Sequence, residues 1–514
     1  MYKKDSHFGL GEGMYRLMSP QNPQWPEGAV FDLLNMTYDR TSQEPEKMLG
    51  YSQVGTAALG GAVSGIFDYD EGTKTVACAE DGKVYHSTSG ASFAQVDTGF
   101  TTTAGKRWSG AMFYGATTGQ QLLVIGNDTD APQKYTGSAV SALGGSPPTG
   151  GQYFVSWGGR LWCAKGDVLY ASVTDNCESW TTGAGGKQFY VDAGTGDITG
   201  LTVFMESLII FKKHRIYRLI VGSTLASAQV NILSRRLGCT SHWTIQECGG
   251  ERQDLLMFLS ANGVRSMYPT ERSGGFGIHQ ADEVIRPIVD TRNRSSDGTT
   301  WASFIEDRDE YYLQYPTAAN TVPGQGVIAN TARHQQRIRW TRHNMANMSA
   351  GAVVFISGKQ EQYFGDSTGK VWKLHVAKTY TRDGGSYFGR FISPNYTQKK
   401  PGRVKQYGRI FVDIETNGDI PVTAYTLLGR ENLPTPSAGI VEIDDLGGAD
   451  GWGEGEFGEA EWGGQTSKGR YVRLSNVRRG YYVTLRLDVG GAEHWFRVSG
   501  LEVEYEWGAD HVAA

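Results

Sequence analysis

Short apolar runs that alternate with polar turns dominate the chain between residues 55 and 380. In the clearest copies an apolar run, a turn carrying glycine and a run with an aromatic residue follow one another, at 76–85, 161–170 and 363–372. Looser copies lie at 122–135, 208–217 and 256–267, and the weakest, a strand without a clear partner, lies at 311–315. Because glycine suits tight hairpin turns, each copy predicts a pair of antiparallel strands.

The spacing of these copies indicates how the hairpins assemble. Their aromatic or methionine positions recur about every 35 to 60 residues, which matches a four-stranded propeller blade of roughly 40 to 50 residues. Residues 51–390 therefore predict a β-propeller of about six to eight blades. An irregular array of β-sandwich hairpins is the alternative that the repeat leaves open.

Residues 391–514 show a cleaner period of two. Strands are predicted at 409–414, 420–425, 471–474, 482–487, 495–498 and 501–507. In one of them Val483, Leu485 and Leu487 fall on one face, and Thr484 and Arg486 fall on the other. This alternation is typical of an antiparallel sheet with one solvated face. It predicts a C-terminal β-sandwich, interrupted at 450–464 by a loop rich in Gly, Glu and Trp.

Residues 1–50 differ from both regions. Pro20, Pro23 and Pro26 stand among polar residues before a short apolar run at 29–36. Such a segment buries little surface by itself. We predict an extended N-terminal arm that docks on another part of the molecule or on a neighbouring subunit.

Composition favours an all-β fold. The 514 residues include 69 glycines, and 11% of them are aromatic while 20% are charged. Glycine supplies the positive φ of tight turns, and aromatic residues favour pleated sheets. Many short strands are therefore expected, and few long helices.

Charge and cysteine content narrow the function classes. The net charge of -5 offers no general basic field for binding nucleic acid. The five cysteines contain no C-x-x-C pair, which argues against a zinc site or a disulfide framework and favours a reducing compartment. No apolar run resembles a signal peptide or a membrane span. We expect a soluble chain, made in the cytoplasm, that does not insert into membranes.

Acidic residues are candidates for a glycosidase pair, because propellers host glycosidases. Glu306, Asp307, Asp309 and Glu310 fall together, but charges just before a strand are typical of a solvated turn. Residues 295–301 resemble an Asp-box turn that is one residue short. No catalytic pair is predicted, so a non-enzymatic protein is expected.

Metal and nucleotide sites are not predicted either. The histidines lack zinc-site spacing, and the turn at Asp128 and Asp130 lacks the later bidentate acid of an EF-hand loop. The glycine-rich stretch at 144–151 has no Gly-Lys-Ser/Thr ending. The sequence therefore predicts no catalytic, cofactor-binding or metal-binding residues and no cofactor.

Two basic stretches, 333–343 and 399–409, stand out against the acidic balance. Alternation at Arg337, Arg339 and Thr341 indicates an exposed strand face that is solvated or pairs with acids on a neighbouring subunit. Because Trp340 lies among these residues, contact with DNA phosphates is the alternative.

Several motifs along the chain resemble a known family. They are residues 35–39 with 46–51, the propeller segments 155–162, 198–201 and 208–212, and the closing residues 473–474 and 496–505. Together they resemble the propeller-bearing tail proteins of short-tailed bacteriophages, the nozzle or hub proteins also called tail tubular or packaged-DNA stabilisation proteins. The chain departs from that pattern at Met48-Leu49-Gly50, where a basic residue and proline are more usual before the glycine.

The resemblance implies a structural virion protein of the tail. Such a protein forms a homo-oligomeric ring, expected to be a hexamer, below the portal and adaptor. It retains packaged double-stranded DNA, conducts it during ejection, and anchors tail fibres or spikes. Two alternatives stay open: a propeller-type tail protein that binds or hydrolyses glycans of the host envelope, and a propeller scaffold of an unrelated assembly.

Overall fold

The structure is a computed structural model, which describes residues 2–20, 22, 24–88, 90–97, 100, 106–116, 118–221, 224–249, 254–270, 275–332, 338–345, 347–376, 379–416, 422–428, 440–443, 470–491 and 494–507. The predicted loop at 450–464 and residues 333–337 of the first basic stretch lie outside the described residues. Five strands precede the propeller: β1 (Lys3–Phe8), β2 (Asp32–Leu34), β3 (Met36–Tyr38), β4 (Pro45–Lys47) and β5 (Gly50–Gln53).

Five separate four-stranded antiparallel sheets come next, and we number them as blades 1 to 5. Blade 1 contains β6 (Val63–Tyr69), β7 (Lys74–Ala79), β8 (Val84–Ser87) and β9 (Ala94–Asp97). Blade 2 contains β10 (Ser109–Tyr114), β11 (Gln121–Gly126), β12 (Gln133–Tyr135) and β13 (Val140–Ala142). Blade 3 contains β14 (Tyr153–Trp157), β15 (Arg160–Lys165), β16 (Val168–Ala171) and β17 (Lys187–Tyr190).

Blades 4 to 7 continue the same order. Blade 4 contains β18 (Ile198–Phe204), β19 (Ser207–Lys212), β20 (Arg215–Ile220) and β21 (Gln229–Ser234). Blade 5 contains β22 (Gln246–Glu247), β23 (Leu256–Ser260), β24 (Gly263–Pro269) and β25 (Phe276–Gln280). Blade 6 contains β26 (Trp301–Ile305), β27 (Glu310–Tyr315), β28 (Gln325–Asn330) and β29 (Arg339–His343). Blade 7 begins with β30 (Met348–Ile356), β31 (Lys359–Asp366) and β32 (Val371–Val376).

The remaining strands and the helices complete the chain. The later strands are β33 (Thr381–Arg382), β34 (Gly385–Ser386), β35 (Gly389–Ile392), β36 (Lys405–Thr416), β37 (Val422–Leu428), β38 (Ile440–Ile443), β39 (Arg470–Gly480), β40 (Val483–Val489) and β41 (Phe496–Trp507). Short 3₁₀ helices lie at Thr182–Ala184, Leu225–Ser227, His242–Thr244, Glu283–Ile285, Arg294–Thr299 and Glu306–Arg308, and one α-helix, α1, spans Arg286–Val289.

An N-terminal strand closes the propeller. Blade 7 takes its fourth strand from β5, which pairs antiparallel with β32 so that Gln53 faces Trp372 and Tyr51 faces Leu374. The Ser349 hydroxyl of blade 7 donates to the Val63 carbonyl of blade 1 at 2.5 Å, which joins the last blade to the first. The propeller prediction is confirmed, with seven blades in the described part of the chain. Residues 311–315, predicted without a clear partner, form β27 between β26 and β28.

The hairpin turns explain why the clearest repeats form blades. In blade 7 the Asp366 carboxylate accepts from the backbone NH of Thr368 and of Lys370 at 2.8 and 3.0 Å, and from the Trp372 indole at 2.9 Å. In blade 1 Asp81 accepts from the Tyr85 hydroxyl at 3.1 Å. An aspartate at the start of the turn therefore fixes both the turn and the aromatic residue of the next strand.

The described part of residues 1–50 docks on another part of the molecule, which is one of the two outcomes predicted for the N-terminal arm. Strand β1 pairs with β41, and the β3–β4 hairpin extends the same sheet. Strand β2 pairs with β29 of blade 6 on one side and with β35 on the other. The short apolar run is buried because strands from the far end of the chain cover it, with Leu33 and Met36 both at 0% exposure.

Strand β2 thereby fuses the propeller to a C-terminal β-sandwich. One sheet of nine strands runs through blade 6, β2, β35, β40, β37 and β38, and the second sheet contains β1, β3, β4, β41, β36 and β39. Val483, Leu485 and Leu487 are buried, as their alternation predicts. Thr484, predicted on a solvated face, is also buried. Its hydroxyl donates to Asn395 of the preceding segment.

Candidate functional site

Four side chains meet where the innermost strands of the propeller begin: Arg107, Tyr153, His242 and Trp243, which we call the axial cluster. Arg107 lies just before β10, Tyr153 opens β14, and the other two lie in the 3₁₀ turn before β22. The Trp243 indole donates to the Trp108 carbonyl at 3.0 Å. Because blades 5 and 2 are not neighbours in the ring, this contact crosses the propeller axis.

Arg107 is the cation of the axial cluster. Its guanidinium lies 4.6 Å from the Trp243 ring centre, and Nη1 donates to the carbonyls of Thr299 and Thr300 at 3.5 and 3.4 Å. Its Nε is buried without a hydrogen-bond partner among the described residues. Burial lowers the pKa of Arg107 to about 9. A buried guanidinium with an unused donor favours an anionic partner such as a carboxylate or a phosphate.

The other cluster residues are neutral. The His242 ring stacks obliquely on Tyr153 at 4.6 Å, and its Nδ1 accepts from the Leu201 backbone NH at 3.4 Å. Burial, with the charge of Arg107, lowers the pKa of His242 to about 3. Burial raises the pKa of Tyr153. At neutral pH the cluster therefore carries the single positive charge of Arg107, and its aromatic side chains occupy the axis.

Sequence reasoning missed the axial cluster. Its residues come from three blades and match no catalytic motif. One signal in the sequence could have indicated it. Residues 107–109 are Arg-Trp-Ser and residues 242–244 are His-Trp-Thr. Both triplets place tryptophan between a basic or imidazole residue and a hydroxyl residue. Both triplets directly precede or begin an innermost strand.

Three of the acidic residues considered for a glycosidase pair, Glu306, Asp307 and Glu310, lie in different surroundings. Glu306 and Asp307 are exposed in the 3₁₀ turn between β26 and β27, as predicted for a solvated turn. Glu310 is buried, which corrects that prediction, because the Thr37 hydroxyl from β3 covers and donates to it. It also accepts from Arg308 Nε at 3.1 Å and from the Tyr312 hydroxyl at 3.0 Å. Glu310 therefore belongs to a buried network at the junction of the two domains.

The remaining candidate sites are occupied by structural contacts. Asp128 pairs with Lys106 at 2.6 Å, and Asp130 accepts from the Asn127 amide at 2.8 Å. In the Asp-box-like segment, Asp297 pairs with Arg292 at 3.1 Å beside a 3₁₀ helix. All five cysteines are free and buried. Among the described residues no group of His, Cys, Asp and Glu has the arrangement of a metal site.

The first basic stretch is not an exposed strand face. Arg339 and Thr341 are 2% and 1% exposed, because β2 and the N-terminal segment cover β29. The Arg339 guanidinium donates to Gln43 and Asn330, both at 2.5 Å. In the second stretch Lys405 is buried and donates to the carbonyls of Lys400 and Tyr481 at 2.5 and 2.8 Å.

Comparison with known proteins finds no related sequence and distant similarity to solved structures. No protein-family model matches the chain, and no curated protein sequence matches it. The WD40 repeats of RRP9 are 6% identical with a TM-score of 0.43, covering 65% of this chain and 100% of that chain. A streptogramin B lyase is 12% identical with a TM-score of 0.43, covering 64% and 98%.

Raptor from Chaetomium thermophilum is 13% identical with a TM-score of 0.44, covering 64% of this chain and 30% of that chain. At these identities the similar structures carry no argument about function. The propeller assignment rests on the sheet topology described above. In the part of the chain that the structure describes, no helix is long and apolar enough to cross a membrane.

Proposed function

We propose that this chain is a structural subunit of a short-tailed phage tail. In this proposal it forms a ring-shaped nozzle or hub below the portal and adaptor, retains packaged DNA and conducts it during ejection. Its partners are copies of itself, the portal or adaptor, and tail fibre or spike proteins. It acts in the virion without catalysing a reaction. The resemblance in sequence motifs is the starting point for this assignment.

The structural observation that carries the proposal is the nine-stranded sheet that joins blade 6 to the sandwich through β2. Strand β2 pairs with β29 at Leu34 and Arg342 and with β35 along its whole length, so in this proposal the two domains move as one body. Rigid subunits with heterologous interfaces close into a cyclic ring when the rotation between neighbours divides a full turn evenly. This rigidity suits a ring that has to keep its channel open under load.

The axial cluster also favours a channel between subunits. Trp243 and Arg107 cross the propeller axis, so DNA cannot pass along the axis of a single propeller. A passage for a duplex then requires several subunits arranged around a common axis. The net charge of -5 fits a surface along which a polyanion slides without strong adhesion.

Electron microscopy and mass measurement of the purified full-length chain test this proposal. We expect a closed ring with an axial channel, and the same ring at the tail of the assembled virion. A protein that stays monomeric at high concentration and is absent from virion tails would refute it. Incubation with envelope polysaccharides tests the enzymatic alternative. That alternative requires that the protein cleaves a polysaccharide and that Glu306→Gln or Asp307→Asn abolishes the cleavage.

A further inference from the structure

A cavity of about 290 Å³ lies in the β-sandwich, far from the axial cluster in the chain. Its walls come from β1, from Asn22 and residues 25–29, and from residues 394–399. Its polar and aromatic lining includes Asp5, His7, Trp25, Glu27, Tyr396, Gln398 and Lys399. We call this cavity the sandwich pocket. Its volume is at the lower end of the range for small-molecule sites.

Besides His7 Nε2, which lies beside the Asp5 carboxylate, two buried polar groups of the sandwich pocket have no hydrogen-bond partner among the described residues. They are the hydroxyl of Tyr396 and the Nε2 amide nitrogen of Gln398, on residues that are each 8% exposed. The Tyr407 hydroxyl donates to Oε1 of Gln398 at 3.0 Å, which fixes the amide and leaves its NH₂ group unused. Buried polar groups are normally paired, and leaving one unpaired costs roughly 1–3 kcal/mol.

The other walls combine aromatic side chains with charged groups of both signs. The His7 ring stacks on Tyr396 with 4.0 Å between ring centres, and its Nε2 lies 3.3 Å from the Asp5 carboxylate. Trp25 is held by its indole NH, which donates to the Ala29 carbonyl at 2.9 Å. Asp5 and Glu27 supply carboxylate acceptors, while Lys399 supplies a positive charge at the rim. The two carboxylates disfavour an anionic ligand, and groups of both signs can form hydrogen bonds with the hydroxyls of a neutral one.

The backbone at the pocket is held in an unfavourable conformation. Gln398 and Lys399 are consecutive non-glycine residues with φ of 45° and 60°, in the left-handed region that such residues seldom adopt. The buried ammonium group of Lys405 donates to the next carbonyl, that of Lys400, at 2.5 Å and helps to hold this turn. Such backbone clusters at active sites, ligand clamps and switch regions, and in this chain it also forms the hairpin turns at Asp70–Glu71 and Met205–Glu206.

We propose that the sandwich pocket binds one neutral sugar unit of pyranose size. Sugar hydroxyls both donate and accept, so they match the Tyr396 hydroxyl, the Gln398 NH₂ group and the Asp5 carboxylate together. The apolar C–H face of a pyranose packs against an aromatic wall such as Trp25. The cavity has room for one such unit. This inference does not depend on the proposed role in a phage tail.

Ligand-observed NMR and calorimetry on the full-length chain test the proposal, with glucose, galactose, mannose and N-acetylglucosamine as probes. We expect saturable binding of at least one sugar, with a Kd on the order of 1 mM for a single unit in a half-open pocket. Tyr396→Phe and Gln398→Ala each remove one unpaired group. Each is expected to weaken binding about tenfold or more, because the sugar hydroxyl then loses its partner.

Tyr190→Phe is the matched control, because Tyr190 is 69% exposed on blade 3 and lies outside the pocket. It should leave the affinity unchanged. Tyr396→Phe should not lower the melting temperature, since its hydroxyl has no hydrogen bond to lose in the free protein. The proposal is overturned if none of the four sugars binds saturably up to about 20 mM, or if binding survives both substitutions unchanged.

Discussion

The guanidinium of Arg342 donates from Nε and Nη2 to the two carboxylate oxygens of Asp32, at 2.6 and 2.5 Å. Arg342 lies on the last strand of blade 6 and Asp32 opens β2, so the pair joins the propeller to the strand that leads into the sandwich. Arg16 approaches the same carboxylate at 3.1 Å. Asp32 is 1% exposed and is therefore the shared anion of two cations at the domain junction.

Asp32→Asn is expected to lower the free energy of unfolding by about 3 kcal/mol, because it leaves two partly buried guanidinium groups without their carboxylate. Urea unfolding followed by tryptophan fluorescence measures the change. Asp383→Asn is the matched control, since Asp383 is 58% exposed in an ion pair with Lys370. Its effect should stay below about 0.5 kcal/mol. Similar losses in the two variants would contradict the junction role of Asp32.

Deleting residues 1–45 should abolish cooperative folding of the sandwich. The deletion removes β1, β2 and β3, and with them the buried side chains of Leu33 and Met36. Circular dichroism melting and gel filtration report the result. A shorter deletion of residues 1–8 removes β1, which pairs with β41 alone, and should cost less. A truncated chain that melts like the full chain would show that this segment is a dispensable arm.

Asp366→Ala should destabilise blade 7 by roughly 2–4 kcal/mol, because the carboxylate accepts hydrogen bonds from the turn backbone and from Trp372. The loss should appear in chemical unfolding at neutral pH. Glu71→Ala, in the exposed hairpin turn of blade 1, provides a control with little expected change. An equal loss in both variants would mean that the aspartate does not fix the turn.

Acid should destabilise the protein through buried histidines. His343 is 2% exposed, neither ring nitrogen has a partner among the described residues, and burial lowers its pKa to about 3. In the unfolded chain the histidine has a pKa near 6.5 and binds a proton below that pH, whereas the buried histidine of the folded chain stays neutral. The free energy of unfolding therefore falls as the pH drops below about 6.5. At pH 5 the loss from His343 alone is on the order of 2 kcal/mol.

His343→Phe should therefore flatten the dependence of unfolding free energy on pH between 7 and 5, measured by urea titration at each pH. Burial lowers the pKa of His242 and His375 as well, so part of the slope should remain. His214→Phe, in an exposed turn of blade 4, should leave the slope as it is. An unchanged slope in His343→Phe would place the acid sensitivity elsewhere.

Trp243→Phe should cost about 1–3 kcal/mol, since it removes the indole donor and leaves the Trp108 carbonyl without its partner across the axis. Chemical unfolding measures this change. Trp157→Phe removes a comparable bond, from the indole to the Glu206 carbonyl at 3.0 Å, but in an exposed hairpin. If Trp157→Phe lowered the free energy of unfolding by as much, the hydrogen bond across the axis would contribute no more to stability than an exposed one.

Local patterns were sufficient to predict the blades. The hairpins at 76–85 and 363–372 place apolar residues, turn glycine and aromatic residue within ten positions of one another, and a strand pair depends on little else. The burial of individual side chains was harder to predict from the sequence. Thr484 reads as a solvated position, yet Asn395 meets it from a segment that is distant in sequence.

The sequence by itself determined that the chain is all-β, that a propeller fills its middle and that an alternating sandwich follows. Only the tertiary structure decided that β5 closes blade 7, that β2 joins the domains, and that Arg107 meets Trp243 across the axis. The physical reason is that backbone hydrogen bonds between strand edges are nearly independent of side-chain identity. A strand's distant partner therefore leaves little trace in its own residues, whereas burial of one face leaves a period of two.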